Sequence, residues 1–84
     1  MNTKDYTKEQ LEEMLHSDDW QQRHKVATLG YRLDILVDDE NWLVREAVAK
    51  QEYGLDKLIN DKDKCVREAA KRGKDLKKFR LKRK

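Results

Sequence analysis

The chain has no proline, only three glycines and a single cysteine in 84 residues. Proline and glycine punctuate turns and sheets, so their scarcity favours a nearly all-helical chain. One cysteine, Cys65, excludes an internal disulfide and suits a reducing compartment. Long apolar runs are missing as well. The first fifteen residues carry Lys4, Asp5, Lys8, Glu9, Glu12 and Glu13 besides the amino terminus, which is unlike a signal peptide. No segment approaches the roughly 20 apolar residues that cross a bilayer. The expectation is a cytoplasmic protein without membrane contact. A glycine-rich phosphate loop is lacking, and no Ser/His/Asp or Cys/His set sits together.

Charged residues make up 44% of the chain and hydrophobic residues 37%. So polar a composition would suit disorder, were the apolar residues not gathered at recurring positions. The net charge of +3 hides a split. Residues 71–84 hold nine basic side chains against Asp75, a balance of +8, which leaves −5 on the other seventy residues. An acidic body carries a basic tail.

What is present is a repeat. Arg23, Arg45 and Arg67 lie twenty-two residues apart. Leu11, Leu33 and Leu55 share that register, as do Met14, Leu36 and Leu58, and Leu15, Val37 and Ile59. Trp20 recurs as Trp42 and Tyr31 as Tyr53. Self-similarity at such a period marks a stack of small units, each burying one face on its neighbour. Each unit reads as a short helix, a capped turn and a longer helix. Ser17, Asp39 and Asp61 are the expected caps of the longer helices. Thr7 with Gln10 reads as a capping box opening the first helix.

The expected fold is an all-α, short α-solenoid of about three two-helix repeats of 22 residues. The repeats fall near 11–32, 33–54 and 55–73, followed by a basic C-terminal helix or tail over 74–84, all in one domain. The shared register predicts a core of Leu11, Met14, Leu15, Val26, Leu33, Leu36, Val37, Leu43, Val44, Val48, Leu55, Leu58, Ile59, Val66 and Ala69. Cys65 aligns with Leu43 and reads as a small core residue rather than a nucleophile. Each Arg follows its expected cap by six residues, too far for a contact along one helix. Asp39, Arg45, Asp61 and Arg67 therefore read as a ladder between units, an Arg fork of one meeting an Asp of its neighbour.

The segment Asp39-x-x-Trp42-Leu43-Val44-Arg45-x-x-Val48-Ala49, then Leu55-x-x-Leu58-x-x-Asp61 and Val66-Arg67-x-Ala69-Ala70, resembles the leucine-rich variant repeat. That family is related in style to the HEAT repeats, and the likeness spans roughly residues 9 to 73. The resemblance implies a right-handed superhelix with one helix of each pair short or 3₁₀. It also implies an Asp/Arg ladder. The chain departs from the family in lacking prolines between units and the cysteine cluster of some members, so no iron–sulfur cluster follows. Members are scaffolds, and a shared fold carries no shared chemistry.

Function is therefore sought on surfaces. His16 and His24 lack further ligands at metal spacing, so no metal, cofactor, small-molecule substrate or catalytic residue is expected. Trp20, Trp42, Tyr31 and Tyr53 are candidates for binding another protein. Their other reading is structural, each Trp stapled over an inter-repeat turn and stacked on a Tyr. Lys74, Lys77, Lys78, Arg80, Lys82, Arg83 and Lys84 are candidates for phosphates or an acidic partner, and nucleic acid is the alternative partner. Leu76 and Phe79 sit at helical spacing, so residues 74–81 are expected to form a helix covering Ile59 and the Val66/Ala70 side of the third repeat.

Overall fold

The computed structural model describes residues 6–82, with side chains described for residues 6–78. Six helices follow in order: α1 (Lys8–Leu15), α2 (Trp20–Thr28), α3 (Leu33–Leu36), α4 (Trp42–Lys50), α5 (Leu55–Leu58) and α6 (Lys64–Lys82). Among the described residues there is no strand, so the fold is all-α. The long helices α2, α4 and α6 start at residues 20, 42 and 64, and the short α3 and α5 start at 33 and 55.

Local chemistry explains most helix starts. Thr7 opens α1 with a complete capping box, its side chain and that of Gln10 satisfying each other's backbone N–H. The caps of the long helices lie two residues later than the sequence suggests. Asp19 caps α2 and Asn41 caps α4, while the Asp63 carboxylate accepts the N–H groups of Cys65 and Val66 at the start of α6. Ser17, Asp39 and Asp61 stand one turn earlier and accept the backbone N–H of Asp19, Asn41 and Asp63. Two Asx-type turns thus run in tandem, the first bracing the residue that caps. Either residue could cap on propensity alone. The path of the chain decides between them.

The four-residue helices α3 and α5 cannot hold themselves, because nucleating one turn fixes several residues for little return. They persist because Leu36 and Leu58 are each only 1% exposed. Arg32 and Gly54 lead into them in left-handed backbone, at φ 50° and φ 64°. A Cβ on Gly54 would stand 2.7 Å from Val37 Cγ2, and Val37 is a stiff core residue. Gly54→Ala should therefore cost about 2 kcal/mol in denaturant unfolding, from backbone strain and overpacking together. Gly30→Ala shares the positive φ but meets nothing closer than Gln51 Oε1 at 3.6 Å, and should cost only about 1 kcal/mol.

Helix α4 is the centre of the molecule. It packs on α2 at one side and α6 at the other, and α2 and α6 do not meet. The apolar stripe of α4 is Val44, Ala47 and Val48, with Ala49 also buried, and α6 repeats it with Val66 and Ala70. One connected core holds these with Leu15, Val26, Ala27, Leu36, Val37, Leu55 and Leu58. Met14, Leu33, Ile59 and Ala69 pack against it while partly exposed.

Three expectations about packing are overturned. Leu43 is only partly buried and Cys65 is exposed. Both are the second residue of their helix, and the 3.6-residue turn aims the following residue inward instead. Ala27, Ala47, Ala49 and Ala70 are buried as well, and such small side chains let neighbouring helices approach closely.

The tail is the third correction. Residues 74–82 do not form a separate helix but continue α6 without a break. A straight helix cannot fold back over its own outer face, so Leu76 does not cover Ile59 and remains 49% exposed. It lies beside a small depression bordered by Ala49, Glu52 and Gly73. Helical Gly73 lets α6 pass close to Leu55, whose methyls lie 3.0–3.3 Å from where a Cβ would be. The Phe79 side chain lies outside the described residues. The outward side of α6 carries exposed Lys64, Arg67, Glu68, Lys71 and Arg72, so it meets water on its own terms.

Candidate interaction surfaces

Along one edge runs an arginine ladder with a common geometry. Arg23 sends Nε and Nη2 to the two carboxylate oxygens of Asp39, at 2.7 and 3.2 Å. Arg45 does the same to Asp61, at 2.8 and 3.1 Å. Both pairs sit sixteen residues apart in sequence, joining the first turn of one long helix to the turn before the next. The third nitrogen, Nη1, donates to a backbone carbonyl six residues earlier: Arg23 to Ser17 and Arg45 to Asp39. Arg67 likewise donates Nη1 to the Asp61 carbonyl at 2.8 Å.

The second rung is dry. The side chains of Arg45 and Asp61 are 8% and 9% exposed. Burial alone would push the Asp61 carboxyl up, but the Arg45 fork and the Asp63 N–H outweigh it and hold the group below its ordinary range. Asp61 thus satisfies an Arg fork and a backbone N–H at once. The sequence exposes the six-residue offset. The sixteen-residue offset, and the direction in which each fork reaches, belong to the packing of α2 on α4 on α6.

The four aromatic candidates divide. Trp20 packs against the core and meets His24 edge-on, with ring centroids 6.0 Å apart, rather than stacking on Tyr31. Tyr31 also packs on the core, and its hydroxyl donates to the Glu12 carboxylate of α1. That bond and burial hold the Tyr31 phenol above its ordinary range. Trp42 and Tyr53 are exposed, at 38% and 41%. Trp20 and Tyr31 are therefore partly buried against the core, while their counterparts one period later are exposed.

The basic candidates gather at a groove between α5 and α6. Lys74, Lys77 and Lys78 line it together with Lys57, which the charge count of the tail does not reveal. Asp56 and Glu52 also border it, and Asp56 accepts from Lys74 at 2.6 Å. The groove is open to solvent and encloses about 570 Å³. Lys57 also pairs with Asp38 on the surface, and exposed pairs of this kind contribute little to stability. The side chains of Arg80 and Lys82, and residues Arg83 and Lys84 altogether, lie outside the described residues.

Among the described residues no group of three or more His, Cys, Asp or Glu is placed to hold a metal ion. No helix among them is long and apolar enough to cross a membrane. Comparison of the chain with known protein families, curated proteins and solved structures finds no match.

Proposed function

We propose that the chain is a non-enzymatic protein-interaction module, a short right-handed α-solenoid of three two-helix units of twenty-two residues, acting in the cytoplasm. Three features support the solenoid. Helices α2, α4 and α6 and helices α3 and α5 recur at that offset, the Arg/Asp rungs repeat with one geometry, and the outer long helices touch α4 but not each other. The observation that carries the function is the exposure of Trp42 and Tyr53. Neither ring is among the residues of the core or those packed against it. Large aromatics left in water are the usual anchors of protein interfaces.

The test is capture of partners from native cytosol, with and without nuclease, using the parent chain and Trp42→Ala/Tyr53→Ala. The double variant should bind at least about tenfold more weakly, as expected of an aromatic hot spot, and should unfold within about 1 kcal/mol of the parent. A partner retained at full strength by the double variant would overturn the reading.

A second reading rests on the lysine groove. Lys57, Lys74, Lys77 and Lys78 line it and suit a nucleic-acid backbone that displaces Asp38 and Asp56 from the first two. Under that reading binding is lost on nuclease treatment. Its logarithm falls linearly with log salt, at a slope near roughly −4 if four phosphates are neutralised. An interface resting on aromatic anchors has no such slope.

A further inference from the structure

We infer that Arg67 is an open rung, a carboxylate-binding site for an acidic turn of another polypeptide. Arg23 and Arg45 each grip a carboxylate sixteen residues ahead. The equivalent position for Arg67 is Arg83, which carries the wrong charge. Among the described residues none takes that place. Helix α6 runs on to Lys82, about 22 Å along the axis from Arg67 at 1.5 Å per residue, where the earlier units turn back. Arg67 is nonetheless held as the other two are, its Nη1 on the Asp61 carbonyl at 2.8 Å against 2.7 Å for each of the others. The fork is therefore oriented, and its Nε and Nη2 meet no carboxylate among the described residues.

The two filled rungs define the occupant. Each carboxylate belongs to an Asp that also accepts the N–H two residues on, in the sequences Asp39-Glu40-Asn41 and Asp61-Lys62-Asp63. A planar fork with two parallel donors matches that carboxylate, and Lys would not reproduce it. Exposed Lys64 and Lys71, one turn to either side on α6, add attraction for an acidic segment. A second copy of this chain is not the occupant. Its Asp39 and Asp61 are already held by Arg23 and Arg45, and its first unit has Ser17 at the position where the later units have those Asp. The inference rests on the interaction reading only in taking the ligand to be polypeptide, and it uses none of the aromatic surface.

The probe is a synthetic peptide of this chain's own residues 33–50, which carries the Asp39 turn, added to the full-length protein. The arginine Nε–Hε resonances are followed by nuclear magnetic resonance. The Arg67 signal should shift with a dissociation constant of about 1 mM, while those of Arg23 and Arg45 stay still. Asp39→Asn in the peptide leaves the protein untouched and should weaken the response about tenfold. Arg67→Lys keeps the charge but has no guanidinium signal, so its binding is read by fluorescence anisotropy of the labelled peptide on parent and variant, and should likewise be about tenfold weaker. Trp42→Ala/Tyr53→Ala should leave the response intact, which separates this site from the aromatic one. An unmoved Arg67 signal, equal binding by the Asn peptide or the Lys variant, or an equal shift with inorganic phosphate would each overturn the inference.

Discussion

Replacing Asp61 by Ala should lower the unfolding free energy by about 3 kcal/mol, the cost of stranding a buried ion-pair partner. In a domain of this size that corresponds to a fall of roughly 15 °C in Tm. Arg45 is 7% exposed, and loss of its partner leaves a guanidinium with two unmet donors away from water. The same substitution removes the brace on the Asp63 N–H, one residue before α6 begins. The first rung is nearly as buried, at 12% and 8% for Arg23 and Asp39, so Asp39→Ala should cost a similar amount. Replacing both members of the second rung, as Arg45→Met with Asp61→Leu, should recover most of the loss, because the penalty lies in the widowed charge.

The rung also predicts the direction of acid sensitivity. Asp61 has its folded pKa lowered from an ordinary 3.8, so the folded state holds the deprotonated form more tightly than the unfolded state does. Its contribution is present above that unfolded value and is lost as pH falls through the lower folded one. Acid titration of stability should therefore be flatter below about pH 4 in Asp61→Ala than in the parent. An unchanged acid profile together with an unchanged Tm would reduce the rung to surface decoration.

Leu58→Ala should also cost about 3 kcal/mol, within the range for truncating a buried leucine. Leu58 and Leu55 are the two buried residues of α5, a helix one turn long. Removing one of two anchors from an element with no stability of its own should release it before the rest unfolds. Amide hydrogen exchange checks this. Protection at Ile59 and Asn60 should fall further than at Val48 or Ala49. Leu76→Ala is the contrast. At 49% exposure Leu76 should matter by less than about 1 kcal/mol, although its place in the sequence pattern resembles that of a capping residue.

Much of the fold is legible in the sequence because it depends on contacts between near neighbours. The capping box at Thr7 and Gln10 closes within four residues. The Val44/Ala47/Val48 stripe needs only the helix period, and the recurrence of that stripe at Val66 and Ala70 needs only the repeat. Scarcity of proline and glycine points to helices for equally local reasons. The surfaces are less legible. Trp20 and Trp42 occupy one register position, yet one is packed and the other exposed. Trp20 meets His24 in its own helix, where Trp42 has Glu46, and the shared register does not show which ring packs on the core.

By itself the sequence determined the all-helical character, the twenty-two-residue spacing of the elements and which residues could form a core. These follow from backbone propensity and side-chain period, which act along the chain. Tertiary structure alone decided which of two polar residues, two positions apart, caps each long helix, which Asp each Arg fork grips, and whether the basic tail folds back or runs on. In each case several local solutions have nearly equal energy. The packing of α2, α4 and α6 breaks the tie, burying the Arg45–Asp61 pair and leaving Arg67 exposed.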